Sequence, residues 1–204
     1  MKLYDSIGPN PKLVRMFAAE KGWQLPEIVP LDLMGAENRR EPYLSKNPGG
    51  QIPALELDDG RVLAETTAIC EFIEEQKPTP ALVGATPEER AETRMWVRRV
   101  ELRITQPMAD GFRFSEGLSI FKDRMRTLPE AAPGLKAIAR DGMEWLDAQL
   151  AGRTTVVPGR FSLADVVLYA FTEFGAGVGQ PIDPALGNLT AWFEATAKRP
   201  SAAA

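Results

Sequence analysis

With one short exception, the strand signals of this 204-residue chain all fall before residue 65, and beyond residue 86 the patterning is helical. Strands mixed with helices, then helices alone, imply two domains of different class. Lys2 to Asp5 reads as a short strand. Gly8-Pro9-Asn10-Pro11 turns into a helix, since proline suits a first helical turn. Leu13, Val14, Phe17 and Ala18 then recur at helical spacing until Gly22 stops the run. Glu27 to Leu31 reads as a second strand, and Asn47-Pro48-Gly49-Gly50 as a loop. Pro53 to Leu57 and Arg61 to Ala64 flank Asp58-Asp59-Gly60 as a hairpin. Thr66 opens a helix with Ile69, Phe72 and Ile73 on one face. The order is βαβ, then ββα.

Lys77-Pro78-Thr79-Pro80 breaks this pattern. The boundaries read as a first domain over residues 1–76, a linker over 77–86 and an all-helical domain over 87–204. Pro87-Glu88-Glu89-Arg90 opens a long helix carrying Trp96, Val100 and Ile104, which Pro107 or Gly111 should bend or end. Further helices are expected over about 135–150, from Ser162, and over 189–198. The exception among the strands is Thr154 to Val157.

Residue content removes much chemistry. The chain has no histidine and one cysteine, Cys70. Ser-His-Asp and Cys-His triads, an internal disulfide and a multi-cysteine metal site are therefore out. The net charge is −4, and no Lys/Arg run is denser than pairs such as Arg39-Arg40 and Arg98-Arg99. That balance argues against nucleic acid as a partner. No run approaches the roughly 20 apolar residues that span a bilayer, and the start carries no apolar signal core. The expected setting is cytoplasmic, with no membrane partner. Gly175-Ala176-Gly177-Val178-Gly179 follows a helix rather than a strand, so it is no dinucleotide loop. Cys70 lies within a helical run and reads as a buried, inert thiol.

The most specific signal is a spaced block: Asn47-Pro48-Gly49-Gly50-Gln51-Ile52-Pro53-Ala54-Leu55, then Asp58-Asp59-Gly60, then Leu63-Ala64-Glu65-Thr66-Thr67-Ala68-Ile69. It resembles the glutathione-binding block of the cytosolic (bacterial-type) glutathione transferases. Phe161-Ser162-Leu163-Ala164-Asp165-Val166 resembles the capping box and hydrophobic staple of that family's helical domain. Leu189-Thr190-Ala191-Trp192-Phe193, followed by Arg199-Pro200-Ser201, resembles its last helix. The likeness runs over nearly the whole chain.

The resemblance implies a thioredoxin-like α/β domain followed by a helical-bundle domain. It implies a cis Ile52-Pro53 bond, with the Ile52 backbone pairing with glutathione as an added strand would. Thr66, at a helix start, would hold the γ-glutamyl carboxylate, and Glu65 would face the ammonium. Arg39 and Gln51 match positions near the glycine carboxylate. Arg103, Met108 and Phe112 would form the co-substrate pocket. Relatives dimerise symmetrically, which places contacts near Thr67, Ala68 and Arg98-Arg99.

One position departs from the pattern. The thiolate-stabilising serine of relatives falls on Gly8. Asn10 can donate its amide to the sulfur, with help from the helix start; Ser6 is the alternative. Tyr4 lies earlier in the strand and should point into the sheet. The implied function is conjugation of glutathione to a small electrophile, the alkyl- or aryl-group transfer used in detoxification, by a homodimer without metal or nucleotide. Glutathione-dependent peroxide or disulfide reduction, and a non-catalytic module on the same fold, are the alternatives.

Overall fold

Four strands form one sheet in the order β2-β1-β3-β4. The computed structural model describes residues 1–204 and divides into two units, Met1–Leu82 with Ala203–Ala204, and Val83–Ala202.

In the first unit, β1 (Lys2–Asp5) leads to α1 (Pro9–Lys21) and β2 (Glu27–Pro30), which runs parallel to β1. A 3-10 turn (Glu37–Arg39) and the short α2 (Tyr43–Lys46) follow, then β3 (Ala54–Glu56), β4 (Val62–Leu63) and α3 (Thr66–Gln76). β3 is antiparallel to both β1 and β4. Gly22 ends α1 in the left-handed conformation, φ 56°, with its N–H on the Ala18 and Ala19 carbonyls. Leu13, Val14, Phe17, Ile69 and Ile73 are all buried. Tyr4, Leu31, Tyr43 and Ala54 form a second buried cluster.

The second unit contains α4 (Pro87–Val100), a π-helical segment (Glu101–Thr105), α5 (Gln106–Arg113), α6 (Leu118–Phe121), α7 (Ala132–Gln149), α8 (Leu163–Gly177) and α9 (Gly187–Ala197). Thr86 caps α4 by accepting from the Glu89 N–H at 3.2 Å. The expected bend precedes Pro107 instead of lying on it. Proline has no N–H for the carbonyl four residues back, and the π turn re-registers the chain just upstream. Gly142 lets α7 close on this segment, since a Cβ there would lie 2.3 Å from the Arg103 carbonyl oxygen.

The expectation of a strand at Thr154 to Val157 is corrected, because that stretch is bent and unpaired. Its apolar character reflects burial. Val156 and Val157 are 1% and 0% exposed, and the Val156 N–H donates to Asp165 Oδ1 at 2.8 Å in place of a ladder partner. Ser162 and Asp165 form the expected capping box at the start of α8.

Candidate glutathione site

Strand register gathers the candidate residues of the first unit at one end of the sheet. Tyr4, next to the end of β1, lies opposite Ala54, the first residue of β3. Leu55 pairs with Leu63, the last residue of β4, and Asp5 pairs with Pro30, the last of β2. The β1–α1 turn with Ser6 and Asn10, the Arg39 loop, Gln51-Ile52-Pro53 and Glu65-Thr66 therefore all emerge from the same sheet end. Ligand sites of α/β sheets form at such carboxyl ends of parallel strands.

Ile52-Pro53 is cis. Ile52 lies ahead of β3, and its N–H and C=O join no hydrogen bond within the protein. An extended backbone can pair with it. The loop before it is held firmly. Asn38 Nδ2 donates to the Gly50 carbonyl at 2.6 Å, while Tyr43 Oη and Asn47 Nδ2 donate to the Gln51 carbonyl at 2.5 and 2.8 Å. Sequence reasoning did not assign Asn38 or Tyr43 this role. Their signal, polar residues in an unpatterned stretch, is weak.

Arg39 Nη1 donates to the Gly49 carbonyl at 3.1 Å, so the half-buried guanidinium lies across this loop. Gly50, φ 59°, makes room for it, since a Cβ there would lie 3.0 Å from Nη1. Arg40 turns to the Gly35 carbonyl instead. The Gln51 side chain is exposed.

Glu65 has φ 67° and ψ 119° and precedes α3 without capping it. A non-glycine residue in such backbone is uncommon and concentrates at functional positions. Thr66 is the first helical residue and not the cap. The leading N–H groups of α3 are thus left for a ligand, at the end of the helix that favours a carboxylate.

At the β1–α1 turn, Gly8 has φ 111° and ψ 173°, a region open essentially to glycine alone. Nothing lies within 4 Å of where its Cβ would be. Pro9 and Pro11 carry no N–H, and the Lys12 N–H is on the Gly8 carbonyl at 3.3 Å. Among residues 9–12, the first turn of α1, Asn10 thus holds the one uncommitted peptide N–H, together with its side-chain amide. The Ser6 hydroxyl donates to the Leu31 carbonyl at 2.7 Å, which commits its only hydrogen. Tyr4 is buried, and its hydroxyl donates to Glu56 at 2.5 Å. Burial and the Glu56 carboxylate push its pKa above the ordinary value. Cys70 has no exposure, and burial raises its thiol pKa strongly.

The co-substrate candidates lie in the second unit. Met108 is fully buried, with its carbonyl accepting from Gln180 Nε2 at 3.0 Å. Phe112 is half-buried between the rings of Phe121 and Phe174, with centroids 6.2 and 5.0 Å away. Arg103 lies over the Trp145 ring at 4.6 Å. These residues do not form one cluster: Met108 belongs to the core, while Arg103 and Phe112 pack on different aromatic neighbours.

Residues 8–76 match the model of the glutathione S-transferase N-terminal domain, and residues 107–195 that of the C-terminal domain. The chain belongs to the glutathione S-transferase family. Among curated relatives, glutathione S-transferase 2 of Saccharomyces cerevisiae is 33% identical over 98% of this chain and 87% of its own length. The crystal structure of Gtt2 from Saccharomyces cerevisiae superposes with a TM-score of 0.91 at 33% identity, covering 98% of both chains. A glutathione S-transferase domain-containing protein of Marinobacter aquaeolei gives 0.92 at 35% identity, over 98% of this chain and 99% of that one. In this glutathione S-transferase the thioredoxin-like domain carries the candidate tripeptide site. No helix is long and apolar enough to cross a membrane.

Proposed function

We propose that this glutathione S-transferase binds glutathione at the sheet end described above and transfers it to a small electrophilic carbon. The observation that carries this reading is the shared sheet end. An open backbone edge at Ile52, an uncapped α3 start behind a strained Glu65 and a donor pair on Asn10 all emerge there. Each suits one part of a γ-glutamyl tripeptide. The α3 N–H groups and the Thr66 hydroxyl take the γ-glutamyl carboxylate, and Glu65 faces the ammonium. Ile52 pairs with the cysteinyl backbone, and Arg39 with Gln51 meets the glycine carboxylate.

A free thiol, with a pKa of about 8.5, is only a few per cent ionised at pH 7. Asn10 cannot remove its proton, because an amide is no base. It lowers the pKa by donating to the sulfur, in concert with the helix dipole. The proton leaves to solvent. The thiolate lone pair then forms the C–S bond, and a leaving group departs with the bonding electrons or, in an addition, the neighbouring atom takes up a proton. The protein acts as a soluble homodimer. Exposed Met95 and Leu102, on the stretch that also carries Arg98 and Arg99, give the second copy apolar surface to cover.

The missing hydroxyl at Gly8 favours one other reading, a module that binds glutathione without turnover. Calorimetry with glutathione, run beside an assay on a panel of aryl halides, epoxides and hydroperoxides, separates the two. Binding with conjugation supports the proposal. Binding with no turnover supports the module, and no binding overturns both. Sedimentation at micromolar concentration tests the dimer.

A further inference from the structure

Arg15 lies on the second turn of α1 and is none of the residues assigned to the glutathione site above. Its Nη1 donates to both carboxylate oxygens of Asp5, at 2.8 and 2.9 Å, and lies 3.4 Å from the Ser6 carbonyl oxygen. The two side chains are 23% and 14% exposed, which limits screening by solvent. Asp5 ends β1, and its carbonyl accepts from the Leu31 N–H at 2.9 Å. The Ser6 hydroxyl returns to the Leu31 carbonyl. The carboxylate is therefore fixed behind the turn that runs from Ser6 to Gly8. Three residues, Ser6 to Gly8, separate Asp5 from the start of α1, a span of at most about 14 Å when fully extended.

In this partly buried setting a carboxylate at that range still opposes formation of a thiolate, by about 1 kcal/mol at an effective dielectric constant of about 20. Other charged residues on the elements that meet at this sheet end include Lys12 on α1, Asp32 just past β2 and Glu65 before α3. Asp32 is engaged locally, where Oδ1 accepts from the Gly35 N–H at 2.8 Å. Only Arg15 covers Asp5.

We infer that Arg15 is a positioning residue for the glutathione thiolate, cancelling the Asp5 charge behind the β1–α1 turn while holding that turn in place. The inference rests on the conjugation reading above, and it concerns a residue that acts through Asp5 without touching the sulfur.

The test uses the whole protein with saturating glutathione, following thiolate absorbance against pH together with steady-state kinetics. Arg15→Met should raise the pKa of the bound thiol by about one unit and lower kcat about tenfold near pH 6.5. The KM for glutathione should stay within about twofold of wild type, because Arg15 makes no contact with the tripeptide. Arg15→Lys should keep most of the wild-type pKa. Adding Asp5→Asn to Arg15→Met should restore it, which a purely structural role for Arg15 does not predict. Should Arg15→Met fail to fold, Asp5→Asn alone decides the matter, because removing the opposing charge should lower the pKa. Glutathione bound with an unchanged titration in Arg15→Met, or no recovery in the double variant, overturns the inference. Wild-type protein that shows no glutathione binding overturns the conjugation reading, and this inference with it.

Discussion

Lys21 and Glu74 form an ion pair inside the first unit, with Nζ to Oε2 at 2.7 Å and side chains 0% and 2% exposed. The pair ties the end of α1 to α3 and also grips the chain beyond α3. Lys21 Nζ donates to the Pro80 carbonyl, and Glu74 Oε2 accepts from the Leu82 N–H at 3.2 Å. The main-chain polar groups that follow the Pro-rich stretch thereby find buried partners.

Removing one member of a buried pair strands the other charge, at a cost of roughly 3–5 kcal/mol. Lys21→Met should therefore destabilise the protein by about that amount in urea unfolding. The double variant Lys21→Met/Glu74→Leu should regain a large part of the loss, although the Pro80 carbonyl and the Leu82 N–H still lose their partners. A double variant as unstable as Lys21→Met alone would show that these main-chain contacts, and not the stranded charge, set the cost.

At the start of α3, stability and binding should separate. Thr66 makes no capping bond, so Thr66→Ala should leave the unfolding midpoint almost unchanged. Its affinity for glutathione should fall about tenfold, the worth of a hydrogen bond to a charged group. Glu65→Gly should be at least as stable as wild type despite the entropic cost of glycine, because it relaxes the φ of 67°. It should nevertheless bind glutathione more weakly. Calorimetry and thermal unfolding on the same samples check both.

Asp165 links three segments of the second unit. Oδ1 accepts from the Val156 N–H and from Trp192 Nε1 at 2.8 and 2.9 Å, and Oδ2 accepts from the Ser162 N–H and hydroxyl at 2.9 and 3.1 Å. Burial pushes its pKa up and these donors pull it down, leaving it raised from 3.8 to about 6. The sign follows from linkage. With the folded value the higher one, Asp165 contributes stability that is present below about pH 4 and is lost as pH rises through 6. Asp165→Asn cannot titrate and turns an NH2 toward donors, so it should be less stable throughout. The gap between it and wild type should widen by about 2 kcal/mol from pH 7.5 to pH 4.5. Urea midpoints at several pH values measure that gap, and a constant gap would show that the carboxyl does not titrate in this range.

Much of this architecture is legible in the residues because the deciding features are local. Gly22, Asp58-Asp59-Gly60, Pro87 and Ser162-Asp165 each specify a turn, a helix start or a cap by their own chemistry, and each stands where expected. The spaced block from Asn47 to Ile69 located one side of the candidate site for the same reason. Tertiary contacts were not legible. Val156 and Val157 look like a strand because both are apolar and buried, but the Val156 N–H finds its partner in Asp165, which lies on a later helix. Ser6 stood as the alternative to Asn10 on paper, and nothing in the residues showed that its hydroxyl donates to the Leu31 carbonyl. The clamp made by Asn38 and Tyr43 arises where no periodicity marks a helix, since α2 has only four residues.

At the β1–α1 turn the Ser6 hydroxyl is committed to the Leu31 carbonyl while Asn10, the proposed donor to sulfur, is not, and the backbone there also explains why a serine cannot simply be placed at Gly8. Asn10→Ala removes the side-chain amide at the start of α1. It should raise the bound thiol pKa by about one unit and slow conjugation about tenfold, because about 1.4 kcal/mol corresponds to each. The main-chain N–H of residue 10 and the helix dipole survive this substitution, so some depression of the pKa should persist. Ser6→Ala should instead lower stability by about 1 kcal/mol through loss of the bond to the Leu31 carbonyl. Its bound thiol should titrate as in wild type. Gly8→Ser should not rescue Asn10→Ala. There is room for a Cβ, but φ 111° with ψ 173° is closed to serine, so the turn must rearrange and move α1 away from the sulfur. Absorbance titration of bound glutathione in the three single variants and the Gly8→Ser/Asn10→Ala double variant decides among these outcomes. A titration unaltered in Asn10→Ala and abolished in Ser6→Ala would transfer the role to Ser6, and would require its hydroxyl to leave Leu31 when glutathione binds.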